Sequence, residues 1–338
     1  MGIDMMQAKI RGGMSLMSIA LLATGGTIAS APTANGLAPA MAAGELIAHL
    51  PKEQQGLIGH CEDVFSLDST NIQPEEWRRL AKAVDRVLKD HEGVVITHGT
   101  DTMAYTAAAL SFMLRGLEKP VILTGSQLPM GAPLSDAPGN LSLAVEACRK
   151  GVPGVYVAFN RKVISGVRAV KTRTTSFDAF DSVNAPVAGL ADSEGVRFTR
   201  PQPVSGSYRL MDSLDPRVFL LKLIPGTLPD VMDFVVKAGY KGLVIEAFGL
   251  GGLHYIRRNL VDKLKMLAQE GIYTLVVTQC LYEKADFSIY EVGSRVLGDH
   301  VLSGRDMTTE AAVTKMMWAL GQEDPAQWLH QNLAGEYR

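Results

Sequence analysis

Short apolar runs alternate along this chain with longer segments whose apolar residues recur every three or four positions. The short runs predict β-strands at 18–24, 64–67, 94–97, 121–124 and 155–159, and again at 218–223, 243–248 and 274–278. The longer segments predict helices at 74–90, 103–114 and 140–150, then near 229–238, 257–270, 308–320 and 325–332. Strands that alternate with helices are typical of βαβ units, so the pattern predicts an α/β fold with a mainly parallel sheet.

Two of these predicted helices differ in their patterning. The segment 74–90 has one apolar face and begins with Pro74, which suits the first turn of a helix. The segment 103–114 is apolar nearly all round, so we expect that helix to be buried on every side.

The alternation weakens after residue 182 and resumes near residue 215. The intervening stretch 185–213 is rich in glycine, proline, serine and short polar runs, which are typical of a connection between domains. We therefore predict two α/β domains: a larger N-terminal domain at 17–190, a linker at 191–214, and a smaller C-terminal domain at 215–338.

The N-terminal segment resembles a weak signal peptide, because Lys9 and Arg11 precede an apolar run at 16–23. Cleavage there would remove a strand that leads directly into the turn at 24–27, so we interpret the run as a first core strand. No apolar stretch approaches the roughly 20 residues that cross a bilayer. Three cysteines, far apart in sequence, argue against a disulfide framework. We predict a cytoplasmic protein that does not bind membranes.

Composition excludes several other classes of protein. The 338 residues are 47% hydrophobic and 20% charged, which are ordinary values for globular domains. The formal net charge of −2 shows no basic excess, so nucleic acid is a poor candidate partner. The seven histidines are scattered and form no metal-ligand pair, so no metal site is predicted.

Polar residues follow four of the predicted strands in the first domain. They are Thr-Gly-Gly-Thr at 24–27, Asp-Ser-Thr at 68–70, His-Gly-Thr-Asp at 98–101 and Gly-Ser-Gln at 125–127. Each alone has an ordinary structural explanation, as a glycine turn, a helix N-cap or a turn-forming serine. Because ligands bind beyond the carboxyl ends of strands in open α/β sheets, we expect the four segments to converge on one crevice.

These residue types suit a small substrate that carries both an ammonium and a carboxylate. Asp68 and Asp101 can face the cation, whereas Ser69 and neighbouring backbone amides can hold the anion. Thr27 offers a hydroxyl beside two glycines, but a threonine hydroxyl is a weak nucleophile and needs a base. Lys171 is the candidate, since a desolvated lysine can accept a proton. The alternative is a solvated surface charge, which the residues alone favour.

At these residues the sequence resembles the bacterial-type asparaginase family, and in particular its cytoplasmic (type I) branch. Residues 23–29, Ala-Thr-Gly-Gly-Thr-Ile-Ala, match the first signature of the family, and residues 95–103, Val-Ile-Thr-His-Gly-Thr-Asp-Thr-Met, match the second. The segments 123–127 and 177–180 also resemble family segments. Two long signatures in the family's order are far more specific than a lone Thr-Gly-Gly-Thr, and the likeness extends from about residue 18 to near the C-terminus.

The resemblance implies an L-asparaginase, an amidohydrolase that converts asparagine and water to aspartate and ammonia. By match to the signatures, Thr27 is the nucleophile that forms an acyl-enzyme. Thr100, Asp101 and Lys171 are the relay that activates it.

The resemblance also implies how substrate is held and how the chain assembles. Asp68 and Ser69 bind the α-amino and α-carboxylate groups, together with Thr100 and Asp101, and no metal or organic cofactor is implied. Members of the family assemble as dimers or dimers of dimers, in which the partner's C-terminal domain helps to close each site. We therefore expect a homodimer or homotetramer.

Two departures from the family pattern bear on the loops around the site. Many members carry a tyrosine in the loop after the nucleophile, whereas 28–46 has none and Leu37 stands near that position. Members often have asparagine in a Gly-x-Gly-Asn turn, whereas 249–252 is Gly-Leu-Gly-Gly. These differences concern loop closure, contacts between subunits and selectivity more than the core chemistry.

Three other classes remain as alternatives. A nucleotide-binding enzyme is disfavoured because 24–27 lacks the third glycine of a dinucleotide fingerprint and the lysine of a P-loop. A sensor that only binds an amino acid would need no nucleophile or base, so Thr27, Thr100 and Lys171 argue against it. The amidotransferase subunit that releases ammonia for tRNA-dependent amidation shares these signatures but carries an extra domain before them. With a first strand near residue 18, we expect no room for that domain.

Overall fold

The computed structural model of the protein describes residues 18–33, 36–39, 41–204, 206–286 and 297–338. Lys9 and Arg11, the basic residues of the signal-like segment, lie outside the described residues. Within the described ranges, none of the helices has both the length and the apolar character needed to cross a membrane.

The strands of the described residues follow one another along the chain as β1 (Ile19–Gly25), β2 (Ser30–Thr33), β3 (Gly36–Pro39), β4 (Ile58–Leu67), β5 (Gly93–Thr97), β6 (Leu114–Arg115), β7 (Pro120–Thr124), β8 (Gly154–Phe159), β9 (Lys162–Ser165), β10 (Ala169–Lys171), β11 (Phe180–Ser182), β12 (Gly189–Asp192), β13 (Gly195–Phe198), β14 (Arg209–Leu210), β15 (Val218–Lys222), β16 (Gly242–Ala247), β17 (Tyr273–Thr278) and β18 (Val301–Ser303).

The helices are α1 (Ala43–Ile47), α2 (Lys52–Gln55), α3 (Pro74–Val87), α4 (Met103–Met113), α5 (Ala137–Arg149), α6 (Asp230–Lys237), α7 (Val261–Gln269), α8 (Thr309–Leu320) and α9 (Pro325–His330). Two short 3-10 helices, Thr27–Ala29 and Ser69–Asn71, follow β1 and β4. Every strand and helix predicted from the hydrophobic pattern has a counterpart here, with ends shifted by a few residues.

The larger sheet has eight strands in the order β13-β12-β9-β8-β7-β5-β1-β4. Five neighbouring strands, from β4 to β8 in this order, run parallel. The other three pair antiparallel at one edge. This edge corrects the predicted linker at 191–214, because β13 and the end of β12 fall inside that range and belong to the large sheet. Their alternating burial leaves no continuous apolar run to mark them as strands.

Both faces of β1, β5, β7 and β8 are buried, which explains their continuous apolar sequences, whereas the edge strand β4 is buried only at Val64 and Phe65. Along β1, Ala20 and Leu22 pack with α3 and α4 on one face, and Leu21 packs with α1 and α5 on the other. Helix α4 is buried nearly all round, as its composition predicted. The helices therefore fix the strands, and with them the loops at the strand ends.

The C-terminal region has its own parallel four-stranded sheet in the order β15-β16-β17-β18. The prediction of a larger, mainly parallel N-terminal sheet and a smaller C-terminal α/β unit is confirmed. One apolar cluster includes residues of both regions, since α8 packs against α4 and the rings of Phe112 and Trp318 stack 6.2 Å apart. This shared core holds the two sheets against each other.

Candidate active site

The four polar segments leave neighbouring strands at the same edge of the sheet. Strands β4, β1, β5 and β7 are adjacent and parallel, so the segments at 68–70, 25–27, 98–101 and 125–127 emerge side by side. The convergence expected from the sequence is therefore present in the structure.

Glycines allow two of these segments to touch. Gly26 has φ of +81°, and a Cβ at this position would lie 2.3 Å from the backbone nitrogen of Gly99. A Cβ on Gly99 would lie 2.6 Å from the hydroxyl oxygen of Ser69. Because side chains cannot occupy such spaces, glycine at 26 and 99 brings the segments that carry Thr27, Thr100 and Ser69 into direct contact.

Thr27 begins the 3-10 helix Thr27–Ala29 and is half-buried. Its hydroxyl makes no hydrogen bond to any other described residue. The backbone around it is held more firmly, since the Gly26 amide donates to the Leu67 carbonyl at 3.0 Å and the Ser30 hydroxyl donates to the Gly26 carbonyl at 2.8 Å. Thr27 thus presents an uncommitted hydroxyl from a fixed backbone.

Thr100, Asp101 and Lys171 form a hydrogen-bonded network. The Lys171 Nζ donates to the Thr100 hydroxyl oxygen at 2.8 Å and to a carboxylate oxygen of Asp101 at 2.6 Å. The side chain of Lys171 is 18% exposed and that of Asp101 is 54% exposed. Lys171 is therefore mostly buried and engaged with the strand-end residues, and the alternative of a solvated surface charge is wrong.

Ser69 and Asp68 occupy the neighbouring strand end. Ser69 is buried, its hydroxyl accepts from the Asp101 amide at 3.3 Å, and its carbonyl accepts from the Thr102 hydroxyl at 2.7 Å. Asp68 is exposed, and its carboxylate accepts from the Thr70 amide at 3.0 Å as the N-cap of the 3-10 helix. Ser69 therefore contacts the Asp101 segment directly, and Asp68 precedes it at the same strand end.

Lys171 reaches the crevice because β10 is anchored on two sides. Its partner strand β11 carries Asp181, whose carboxylate accepts from Thr172 at 2.7 Å and from Lys162 at 3.1 Å. At the other end, the buried Arg168 donates to the carbonyls of Asp306 and Gly335, each at 2.9 Å. The C-terminal region therefore helps to position the strand that carries Lys171.

Gln127 is a site residue to which sequence reasoning assigned no role. Its side-chain oxygen accepts from the Thr100 hydroxyl at 3.4 Å, and its amide donates to the carbonyls of Thr174 and Ser176 at 2.9 and 3.1 Å. The signal that could have found it is the polar strand end at 125–127. The neighbouring Ser126 hydroxyl donates to the Leu128 carbonyl at 2.5 Å, the ordinary role of a turn serine.

A series of buried hydrogen bonds holds residues 98 and 99, which directly precede Thr100. The Trp77 indole donates to the Thr106 hydroxyl at 3.1 Å, and Thr106 is 2.9 Å from Nε2 of His98. Nδ1 of His98 is 2.7 Å from the Gly99 carbonyl, which can only accept, so Nδ1 carries the proton and Nε2 accepts from Thr106. Burial lowers the pKa of His98 to about 4, so the ring is neutral at ordinary pH.

The two departures from the family pattern lie in a strand and in a turn. Leu37 is in β3, where its backbone pairs with Pro32. The 249–252 segment forms a tight turn after β16, in which the amide of Gly252 donates to the Phe248 carbonyl at 2.7 Å, and Gly249 and Gly251 have positive φ. Glycine therefore suits positions 249 and 251 of this turn, where φ is positive.

Within the described ranges, no three potential metal ligands among histidine, cysteine and the acidic residues come together. The site instead combines free and bound hydroxyls, an amine and carboxylates at the strand ends of a two-domain α/β fold. This set of groups is typical of hydrolytic enzymes that act through a side-chain nucleophile and base.

Comparison with known proteins agrees with this class. Residues 18–204 match the family model described as asparaginase, N-terminal, and residues 217–331 match the glutaminase/asparaginase C-terminal domain. Together the two models span most of the chain. The chain belongs to the asparaginase family of amidohydrolases.

Three relatives illustrate the similarity. The chain is 42% identical over 327 residues to an L-asparaginase of Thermococcus kodakarensis, covering 95% of this chain and 99% of the relative. The solved structure of the thermostable L-asparaginase from that organism has a TM-score of 0.88 at 40% identity, covering 95% and 99% of the two chains. A component of the glutamyl-tRNA(Gln) amidotransferase of Archaeoglobus fulgidus is 34% identical over 340 residues, covering 95% of this chain and 79% of the relative.

Proposed function

We propose that this protein is an L-asparaginase that hydrolyses the side-chain amide of L-asparagine with Thr27 as nucleophile. The observation that carries the proposal is the network in which Lys171 contacts Thr100 at 2.8 Å and Asp101 at 2.6 Å, beside the segment of Thr27. The similarity to named L-asparaginases supports the choice of substrate.

The first half of the proposed reaction begins when the Lys171 ammonium loses one proton to solvent and becomes a neutral amine. The Thr27 hydroxyl then gives its proton to Thr100, while the hydrogen of Thr100 turns from Gln127 to Lys171 and is transferred to that amine. The Thr27 oxygen attacks the amide carbon of the substrate and forms a tetrahedral anion. The proton then returns from Lys171 through Thr100 to the amide nitrogen. The carbon–nitrogen bond breaks, ammonia leaves, and a β-aspartyl ester remains on Thr27.

In the second half, water takes the place of ammonia. The same relay removes a proton from the water, which attacks the ester carbon, and the Thr27 oxygen leaves with that proton as aspartate is released. Each half forms an oxyanion, and backbone amides are its natural donors. The N–H groups of Thr27 and Thr100 have no acceptor among the described residues, which supports them in this role.

The carboxylates of the crevice support recognition of an amino acid. Asp101 is half exposed and keeps one oxygen that Lys171 does not contact, so it can hold the substrate ammonium together with Asp68. Ser69, which follows Asp68 and accepts from the Asp101 amide, is assigned to the substrate carboxylate. In the resting structure its hydroxyl is occupied by the Asp101 amide, at a long 3.3 Å, so substrate must compete with that bond.

We also propose self-association and a location for the protein, both from its resemblance to the cytoplasmic branch of the family. A homodimer or homotetramer is supported by apolar side chains exposed on the C-terminal region, including Ile224, Tyr255 and Ile256, which is 81% exposed. We propose a cytoplasmic location. Light scattering of the purified protein tests the assembly: a monomeric mass at micromolar concentration would contradict it.

The decisive experiment is ammonia release from L-asparagine and from L-glutamine, each over a concentration series with purified protein. We expect saturable release from L-asparagine and none above background from D-asparagine or L-aspartate, which serve as controls. Absence of release from both L-amides would refute the proposal. Calorimetric binding of L-aspartate by such an inactive protein would instead indicate a sensor.

A further inference from the structure

Gln127 is positioned by contacts on three sides. It follows β7 and is half-buried, and its backbone amide donates to the two carboxylate oxygens of Asp136 at 3.1 and 3.0 Å. Its side-chain nitrogen donates to the Thr174 and Ser176 carbonyls, in the segment that follows Lys171. The residue therefore connects the end of β7 with the segment between β10 and β11.

These contacts fix which way the side-chain amide faces. Carbonyl oxygens only accept hydrogen bonds, so the NH₂ group must point to Thr174 and Ser176. The amide oxygen must then face Thr100, and it lies 3.4 Å from the hydroxyl oxygen. An amide oxygen cannot donate, so Gln127 can only accept the hydrogen of Thr100.

Counting hydrogens gives the state of the Thr100 hydroxyl. The ammonium of Lys171 has only donors, so at 2.8 Å it occupies one lone pair of the Thr100 oxygen. The hydrogen of Thr100 is then directed to Gln127. One lone pair of Thr100 remains, and it is free to accept a hydrogen bond from the nucleophile.

We propose that Gln127 is a positioning residue, which holds the Thr100 hydroxyl so that its free lone pair faces Thr27. The inference rests on the proposed function, because it assigns Thr27 and Thr100 the roles of nucleophile and relay. Before the relay starts Lys171 is an ammonium, and without the Gln127 acceptor the Thr100 hydrogen then turns toward Thr27. The hydrogens of Thr27 and Thr100 then both point into the space between the two hydroxyl oxygens, so Thr27 has no hydrogen-bond acceptor there. The hydrogen bond from Thr27 to Thr100 is therefore not in place when Lys171 loses its proton.

The first test compares Gln127→Met, which keeps the length of the side chain but has neither amide group, with a matched control. Ser135→Ala removes a hydroxyl that donates to the Leu128 carbonyl at 3.3 Å, so it perturbs the same loop without contacting Thr100. For Gln127→Met we expect kcat for L-asparagine to fall about tenfold, the effect of one neutral hydrogen bond, with KM changed less than about threefold. For Ser135→Ala we expect kcat within about twofold of wild type.

Thermal unfolding separates positioning from loss of folding. If Gln127→Met folds poorly, Gln127→Asn replaces it, because the shorter side chain keeps an amide but cannot reach both Thr100 and the Thr174 carbonyl. An unchanged kcat in a folded Gln127 variant would overturn the proposal. So would an equal loss of kcat in Ser135→Ala.

A double-mutant cycle distinguishes positioning of Thr100 from a merely structural role. A structural role would lower kcat by the same factor whether or not residue 100 has a hydroxyl. In a Thr100→Val background there is no hydroxyl to position, so adding Gln127→Met should cost less than about twofold more in kcat. A further tenfold loss in that background would show that Gln127 acts elsewhere and would overturn the proposal. The assay needs enough enzyme to measure losses of roughly 10,000-fold.

The cycle also separates this proposal from the proposed function. If wild type releases no ammonia, the function itself is wrong, and the Gln127 variants are not needed to learn that. If wild type is active and Thr100→Val keeps full kcat, the relay is wrong and the Gln127 proposal falls with it. If Thr100→Val is impaired and Gln127→Met is not, only the Gln127 proposal fails.

Discussion

Thr27 and Thr100 stand on neighbouring strand ends, but their surroundings differ. The Thr100 hydroxyl contacts Lys171 and Gln127, and its residue is only 7% exposed. The segment beneath it is held by the buried chain from Trp77 to His98. The Thr27 hydroxyl makes no hydrogen bond to the other described residues, although the glycine before it is packed tightly against Gly99.

The difference fits the two separate roles that are proposed for these hydroxyls. A group that passes protons needs fixed neighbours at hydrogen-bond distance, because proton transfer depends on alignment. A nucleophile must leave its hydrogen-bond partners to form a covalent bond, so an uncommitted hydroxyl on a fixed backbone loses little when it attacks. The surroundings therefore favour attack by Thr27 and proton transfer by Thr100.

The largest expected effect on kcat comes from removing the hydroxyl of the proposed nucleophile, Thr27. Thr27→Ala should lower kcat by about 10,000-fold or more, as for other residues that act as a covalent unit with their base. A diazo-ketone analogue of asparagine should leave its mass on the peptide that contains Thr27 in wild type, and nowhere in the site of the variant. An adduct on Thr100 would reverse the two roles, and brisk turnover by Thr27→Ala would remove Thr27 from the mechanism.

The next largest effect concerns the base. Lys171→Met should lower kcat by about 1,000-fold or more while L-aspartate binding stays nearly intact. Asp101→Asn should weaken both turnover and binding, because that carboxylate also faces the substrate ammonium. The double variant should lose little more than the worse single variant. Near-normal kcat in Lys171→Met would show that its contact with Thr100 is structural.

A smaller effect tests how firmly the crevice fixes substrate relative to Thr27. Glutamine is one methylene longer than asparagine, so with its α-groups held by Asp68, Ser69 and Asp101 its amide carbon is displaced from the nucleophile. A pocket that discriminates one methylene gains about 1–3 kcal/mol, so kcat/KM should favour asparagine by roughly 10- to 200-fold. Equal kcat/KM values for the two amides would contradict the idea that Thr27 sits at a fixed distance.

The smallest effect concerns the support under Thr100. The pKa of His98 is lowered to about 4 by burial, below its ordinary value near 6.5. Between these two values the unfolded chain binds a proton that the folded protein does not, so stability falls as pH decreases from 6.5 toward 4. This histidine should contribute about 1–2 kcal/mol to the loss of stability between pH 7 and pH 5.

The measurement is urea unfolding at pH 7 and pH 5 for wild type and His98→Gln. Other titrating groups are common to both proteins, so their contributions cancel in the difference. The variant should be less stable than wild type at pH 7 and should lose less stability on acidification. The same pH dependence in both proteins would show that His98 is protonated in the folded state.

Four strands whose ends carry the site, β1, β4, β5 and β7, could be predicted from the sequence alone. Apolar runs marked the buried parallel strands, because such strands are covered on both faces and tolerate few polar residues. The polar segments after β1, β4, β5 and β7 stood out against those runs. Since parallel neighbours present their carboxyl ends at one edge, the convergence of Thr27, Asp68, Thr100 and Asp101 followed from the pattern.

The hydrophobic pattern did not predict the antiparallel strands at one edge of the large sheet or the contacts that bury Lys171. Strands β12 and β13 are short, antiparallel and half-exposed, so their sequences resemble those of loops, and the predicted linker at 191–214 therefore begins too early. The sequence around Lys171 taken alone predicts a lysine on the surface. Its burial depends on the pairing of β10 with β11 and on Arg168, which binds residues well over 100 positions away.

The contacts between the strand ends depend on how distant parts of the chain pack together. No local pattern predicts that Gly26 meets Gly99, that Gln127 accepts from Thr100, or that α8 shares a core with α4. Periodicity reports which face of an element is buried, because burial repeats with the geometry of the backbone. It carries no information about which distant side chain completes a hydrogen bond, since that depends on how whole elements pack and on a match of distances within a few tenths of an ångström.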